Sequence, residues 1–333
     1  MKYVVTGTAG FIGFFTAQLL LRQGHEVVGI DAMVPYYDVK LKERRHDILR
    51  QHGGFSAHKA DLADFDAVTE IFSGAAPQRV IHLAAQAGVR YSLEYPETYV
   101  QSNIVGTFNL LEQVRRKRIE HFLMASTSSA YGASRDYPYR EQQAADTPLT
   151  IYSATKRGAE HMCHSYAHLW GQATTVFRFF SVYGPWGRPD MALFKFTDAI
   201  LKGEPIEIYN HGNMIRDFTY VEDLVKAIVL LADAVPVSGK PVADYDSISP
   251  VAPYRLVNIG NGDPVSLMTF IEEIEKSAGK KAIRTYLPMQ PGDVEKTFAD
   301  TRLLKALTGF VPEAKVDYGV AEFVRWFRDY YNV

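Results

Sequence analysis

The sequence predicts an α/β fold, a doubly wound parallel sheet followed by a smaller α/β unit, and three observations carry that expectation. The first is the opening of the chain. An apolar run, Lys2-Tyr3-Val4-Val5-Thr6, leads straight into Gly7-Thr8-Ala9-Gly10-Phe11-Ile12-Gly13, and Asp31 closes the next apolar run. The second is the rhythm that follows, in which short apolar strands alternate with amphipathic helices as far as Phe180. The third is the break in that rhythm beyond Phe180, where Gly/Pro-rich segments such as Tyr183 to Pro189 and Leu287 to Gly292 take over.

In order, the opening reads as strand, glycine turn, helix, strand, acid. Gly7 permits the tight turn, Gly10 lets backbone N–H groups approach a pyrophosphate, and Gly13 allows the helix to pack closely on the sheet. Phe11 and Ile12 begin that helix, whose N-terminus favours phosphate charge. Asp31, about 20 residues further on, suits a ribose 2′-hydroxyl. Ala32 and Met33 follow it and supply no Arg for a 2′-phosphate, so this Rossmann-type fingerprint favours NAD over NADP. Further strands are expected near Val27 to Ile30, Phe55 to Lys59, Arg79 to Leu83, His121 to Ala125 and Thr174 to Arg178, with helices between them, so the sheet should be parallel. Past the break, helices are expected near Val221 to Ala232, Ser266 to Ala278 and Tyr318 to Tyr331. The expected division is an NAD-binding Rossmann domain over residues 1–180 and a substrate-binding domain over 181–333, with segments near 217–234 free to return to the first. The second would lie over the carboxyl ends of the strands, where ligands bind in such sheets. Val235 to Pro253, rich in Pro, Ser and Asp, reads as an exposed excursion rather than a site.

With 47% hydrophobic residues, 22% charged residues and a formal net charge of -2, the chain has ample core and no basic field for nucleic acid. No run of about 18 apolar residues exists, so no membrane span is expected. A first strand beginning at Lys2 leaves no room for a cleaved signal sequence, and a single cysteine, Cys163, allows no internal disulfide. A cytoplasmic enzyme is the class these features suit. Cys163 reads as a buried filler, since nothing nearby in sequence would activate it.

The second chemical signal is Tyr152-Ser153-Ala154-Thr155-Lys156, which sets a Tyr and a Lys on one helix face. An ammonium near a phenol favours the phenolate, which lowers the Tyr pKa toward a range useful to a general base. Tyr36 and Lys40 share the spacing, as chance allows in a chain with 20 Tyr, but they lie in a polar loop. Tyr152 instead opens a long helix downstream of the strand ending in Ser126-Thr127-Ser128-Ser129. These hydroxyls would face the ligand crevice, and one of Thr127, Ser128 and Ser129 would bond a substrate hydroxyl beside Tyr152. Ser126 reads equally well as a turn former or helix cap.

The chain resembles the extended short-chain dehydrogenase/reductase family and, within it, the nucleotide-sugar epimerases. The resemblance runs through Thr6 to Gly13, Asp61-Leu62, His82 to Ala85, Ser102-Asn103, Thr127 to Gly132, Tyr152 to Lys156, Phe179 to Pro185, Arg216 to Phe218 and Pro291 to Asp293. It implies that Tyr152 is the base, that Lys156 lowers its pKa and holds the nicotinamide ribose, and that Thr127 shares the substrate O4 proton. It further implies Asp61 and Leu62 beside adenine, Leu83, Ala84, Ala85 and Asn103 along the cofactor, and Arg216 and Asp293 on the diphosphate and ribose of a UDP-sugar. NAD is the one cofactor implied; no metal is.

Family members that eliminate water or carbon dioxide carry an acid inside the strand-end motif. Here it reads Thr127-Ser128-Ser129-Ala130-Tyr131-Gly132, so C4 epimerisation is the expected reaction. Segments around Tyr36 to Lys42, Gly88 to Ser92 with Arg90, Gly187 to Ala192 with Arg188, and Pro288 to Asp293 resemble the UDP-glucuronate 4-epimerase subgroup, which places Arg90 and Arg188 at the substrate. A C5 carboxylate needs donors, and Ser128, Ser129 and Ser181 supply neutral ones, with Ser181 standing where Thr was expected. Other readings are a UDP-glucose or UDP-N-acetylglucosamine 4-epimerase, for which small Thr297 would leave room, and a non-catalytic nucleotide-binding relative. A homodimer is expected because helices near Pro96 to Arg116 and Tyr152 to Leu169 carry apolar faces, including Val100, Ile104, Phe108 and Leu111. In the resembling family these helices pair across a two-fold.

Overall fold

The computed structural model describes residues 1–333. β1 (Lys2–Thr6) buries successive residues from Tyr3 onward, as a strand covered by helices on both faces must. α1 (Phe11–Arg22), β2 (Glu26–Asp31), α2 (Val39–Arg50), β3 (Phe55–Lys59), α3 (Phe65–Ala75) and β4 (Arg79–His82) continue the alternation. The next crossover is longer: α4 (Tyr91–Glu94) and α5 (Pro96–Tyr99) pass through a π-helical stretch, Val100–Val105, into α6 (Gly106–Lys117) and then β5 (His121–Thr127). α7 (Ile151–Trp170) starts at a capping box, in which the side chains of Thr150 and Ser153 satisfy each other's backbone amides, and stops at Gly171 in the left-handed conformation. β6 (Thr174–Phe179) completes this series.

The remainder comprises β7 (Ser181–Tyr183), α8 (Ala192–Lys202), β8 (Pro205–Ile208), β9 (Ile215–Tyr220), α9 (Val221–Asp233), β10 (Tyr254–Ile259) and β11 (Pro264–Ser266). It continues with α10 (Leu267–Ala278), β12 (Ile283–Tyr286), β13 (Lys296–Thr297), α11 (Arg302–Thr308) and α12 (Val316–Tyr331). Seven strands form one parallel sheet in the order β10-β6-β5-β4-β1-β2-β3. The order reverses between β1 and β4, and at such a switch point a crevice opens beyond the carboxyl ends of the strands.

Two apolar layers sandwich the sheet. One joins Phe14 and Leu20 of α1 to Ile228 of α9, and the other joins Leu110 of α6 to Ala159 and Tyr166 of α7. A third core, with Phe194, Phe270 and Phe323, binds α8, α10 and α12 together over the small sheet of β7, β9, β11 and β13. The parallel α/β sheet is the one the sequence predicts. Its seventh strand, β10, was not anticipated, and it carries residues beyond 250 back to the edge of the first sheet. Likewise α9 returns to pack on α1. Val235 to Pro253 forms no helix or strand and exposes Val237, Val242 and Val251, yet it is pinned. The Asp246 carboxylate accepts two bonds from Arg255, each 3.0 Å, in a buried ion pair. No helix is long and apolar enough to cross a membrane.

Candidate active site

A cavity of about 1030 Å³ opens at the switch point, between the strand ends and the small sheet. On its dinucleotide side, Gly7 takes φ 77°, and a Cβ there would meet the Ala84 amide nitrogen at 2.8 Å. A Cβ on Gly13 would run into the Gly7 carbonyl oxygen. These two positions therefore admit only glycine. The Gly10 amide donates to the Gly7 carbonyl at 2.9 Å and closes the turn, whereas the amides of Phe11, Ile12 and Gly13 find no acceptor in the protein. Unsatisfied donors at a helix N-terminus on a cavity wall suit phosphate oxygens.

Asp31 holds the far end of this wall. Its Oδ2 accepts from the Ala9 amide at 3.0 Å and its Oδ1 from the Met33 amide at 2.8 Å, which fixes the carboxylate while leaving lone pairs for a ribose. Asp61, Leu62, Leu83, Ala84 and Ala85 line the same side. The Thr6 hydroxyl gathers the amides of Leu83 (3.1 Å) and Ala84 (3.0 Å) and contacts His82 Nδ1 at 2.8 Å. Burial holds His82 well below its ordinary pKa, so it remains neutral and pins the end of β4. Donor amides, a fixed acid and a glycine cradle together fit a dinucleotide. Asn103 braces this wall. Its side-chain amide bonds Gln86 N (2.9 Å), Gln86 O (3.1 Å) and Thr155 Oγ1 (3.1 Å), bracing the loop after β4 against α7.

On the other side, Tyr152 and Lys156 stand one turn apart on α7 and both face the cavity, with Thr127, Ser128, Ser129 and Ser181 around them. Thr127 Oγ1 caps the turn Ser128–Tyr131 by accepting from Ser129 N at 3.1 Å. Burial pushes the Tyr152 hydroxyl above its ordinary pKa, against the pull of the nearby Thr127 hydroxyl and the Arg188 charge. Lys156 is itself pushed down to about 8 by burial. Ser126 also lines the cavity, but its hydroxyl is taken up by Glu160 at 2.5 Å and anchors β5 to α7.

Arg188 forms a bidentate pair with Asp190, whose carboxylate also accepts from Tyr36 at 3.0 Å. Arg90 lies 4.6 Å over the Tyr209 ring and 3.9 Å from Asp293. Arg216 donates to the carbonyls of Ile215 (3.0 Å) and Glu295 (3.1 Å), with Asp293 the leading counter-charge against its burial. All four of Arg90, Arg188, Arg216 and Asp293 line the cavity. So do Tyr36, Lys42 and Asp190, which lie in segments that carried the resemblance but were not singled out as site residues in the sequence. Burial and the Asp190 charge raise the Tyr36 pKa, and its hydroxyl is held by Asp190 while its loop forms a cavity wall. The available signal was a lysine and an arginine, Lys42 and Arg45, in the apolar stripe of α2 between Leu41 and Leu49.

Residues 3–243 match the NAD dependent epimerase/dehydratase family, and the chain belongs to it. A probable UDP-glucuronate 4-epimerase of Rhizobium meliloti (strain 1021) is 55% identical over 335 residues, spanning 100% of this chain and 98% of that protein. UDP-glucuronate 4-epimerase 1 of Arabidopsis thaliana is 41% identical over 100% of this chain and 78% of its own length. Among solved structures, the UDP-glucuronic acid 4-epimerase of Bacillus cereus in complex with UDP-glucuronic acid and NAD superposes with a TM-score of 0.88, at 30% identity, over 99% of this chain and 100% of that one.

Proposed function

We propose that this chain interconverts UDP-glucuronate and UDP-galacturonate by epimerisation at C4, using tightly held NAD. The observation that carries the reading is the cavity wall opposite the dinucleotide cradle. There Tyr152, Lys156 and Thr127 stand beside three neutral hydroxyls, and the strand-end turn bears no carboxylate. Gly7 to Gly13, Asp31, Asp61, Leu62 and Leu83 to Ala85 would hold NAD, and Asn103 supports that wall from behind. When bound, NAD supplies the acceptor and donor of hydride at C4. Tyr152 takes the 4-hydroxyl proton and gives it back, and Thr127 shares that proton as it moves. Lys156, still largely protonated at neutral pH, donates to the nicotinamide ribose. Arg216, Asp293, Arg90 and Arg188 hold the UDP portion and the sugar rim.

A 4-keto uronic acid is a β-keto acid that loses carbon dioxide unless its carboxylate is held still. Ser128, Ser129 and Ser181 hold it by donating without adding charge. With no acid in the turn to work at C5 or C6, the ketone turns over and accepts hydride on its other face. Residues 1–180 with α9 and β10 serve the dinucleotide, and the rest serves the nucleotide sugar. We further propose that the chain works as a homodimer in the cytoplasm; its single cysteine is free and buried, which suits a reducing compartment.

The test is a side-by-side assay of UDP-glucuronate and UDP-glucose on wild type, Ser128→Ala and Ser181→Ala. Charge-assisted hydrogen bonds contribute about 1.5 to 3 kcal/mol each, so wild type should favour the uronic acid roughly 10²-fold in kcat/KM. The Ala variants should lose most of that preference, with little UDP-pentose and no lasting NADH from wild type. Equal turnover of UDP-glucose by wild type would overturn the assignment.

A further inference from the structure

Arg45, on α2, is completely shielded from solvent, yet its three hydrogen bonds end on neutral atoms. One terminal nitrogen donates to the Ala9 carbonyl at 2.7 Å and to the Tyr37 hydroxyl at 2.8 Å, and the other donates to the Trp186 carbonyl at 2.6 Å. Its Nε has no partner. Arg178 is as deeply buried but is neutralised by a bidentate Glu160. A buried guanidinium bonded only to carbonyls and a phenol costs stability and calls for a return.

Its two carbonyl partners lie in the two loops that matter most to the site. Ala9 belongs to the glycine turn of the dinucleotide cradle, and its amide is already gripped by Asp31. Trp186 lies two residues before Arg188 and takes φ 60°, a conformation that a bulky residue keeps only when its surroundings hold it. The guanidinium is thus a rigid fork with one prong on each loop.

We propose that Arg45 is a positioning residue that couples the two ligands: by fixing the glycine turn and the Arg188 loop to one another, it makes NAD and the UDP moiety each bind more tightly when the other is present. The coupling is reciprocal by linkage. The inference rests on the proposed reading of the cavity as a site for NAD and a UDP-sugar, but its test does not require turnover.

The experiment follows release of NAD from the loaded full-length protein, with and without saturating UDP. In wild type, UDP should slow release by at least about fivefold. Arg45→Lys keeps the charge but cannot span both carbonyls, so the ratio of NAD release without UDP to release with UDP should fall from at least about fivefold to near one, whatever its basal rate. Arg45→Met, which loses the charge beside the glycine turn as well, should release NAD faster in both conditions. The inference fails if UDP does not slow release in wild type, or if Arg45→Lys melts at a lower temperature but is slowed by UDP as wild type is. The second result would make Arg45 a packing residue alone. UDP that slows NAD release in a wild type inactive on UDP-glucuronate would end the proposed reaction and leave the coupling standing.

Discussion

Lys156 shows what a functional position costs the fold. Its ammonium lies inside the protein, and burial pushes its pKa from 10.5 down to about 8. Below pH 8 both folded and unfolded chains carry the proton, and the folded state bears the full penalty. As pH rises from about 8 toward 10.5 the folded state sheds the proton first and the penalty recedes. Lys156→Met should therefore lose activity yet be more stable than wild type at pH 7, by up to about 3 kcal/mol, with the gap closing toward pH 10. Melting curves at both pH values check this. Tyr152→Phe removes only the oxygen that accepts the proton, so turnover should fall by about 10² to 10⁴ with NAD and UDP binding intact. More than about a tenth of the activity surviving in kcat would require another base. Tyr152 and Lys156 were legible in the sequence because a helix turns a spacing of four into a shared face. The roles of Asn103 and Ser126 were open in the sequence for a related reason. A polar residue beside a site looks the same in sequence whether its side chain serves the cavity or the frame, and only the packing around α7 brings Asn103 to Thr155 and Ser126 to Glu160.

At the level of elements, one buried ion pair fastens the helix that bears the catalytic pair to the sheet. Glu160 of α7 receives Arg178 of β6 through bonds of 2.9 and 2.7 Å, and Ser126 of β5 and Arg157 complete its shell. Arg178 also lies 4.3 Å over the Tyr131 ring, at the end of the strand-end turn. The network thereby ties the Thr127 turn to the helix carrying Tyr152. Glu160→Gln leaves a buried guanidinium uncompensated and should destabilise the protein by about 3 to 5 kcal/mol in urea unfolding. Adding Arg178→Met should recover a good part of that loss, and no recovery would show that the pair is not what holds α7. Long elements such as α7, α10 and α12 were readable from their apolar periodicity. The small sheet was not: β11 has three residues and β13 two, too few for any alternation to register. β10 escaped because the excursion at Val235 to Pro253 hid its return, and its place at the sheet edge is fixed by pairing with β6 rather than by a local pattern.

For the whole molecule, the unresolved demand is apolar surface that the monomer leaves uncovered. Val100 and Phe108 are 41% and 44% exposed, with Ile104 between them at four-residue spacing, and Leu169 and Trp170 at the end of α7 are 63% and 47% exposed. Leu111, expected on the same outward face, instead lies in the monomer's own core, so the stripe is narrower than the sequence suggests. What remains follows Val100, Ile104 and Phe108 along the α5–α6 segment, beside Gly158 of α7, where a side chain as small as glycine brings Ile104 within 3.1 Å of an added Cβ. Two such helices from one chain against two from a second copy would bury the stripe in an isologous four-helix contact, because a two-fold places the same patch on both sides. Wild type should sediment as a dimer at micromolar concentration. Phe108→Asp, which puts a charge into the middle of the buried stripe, should sediment as a monomer while keeping NAD bound. A monomeric wild type, or a Phe108→Asp variant that stays dimeric, would show that this face is covered in some other way or not at all.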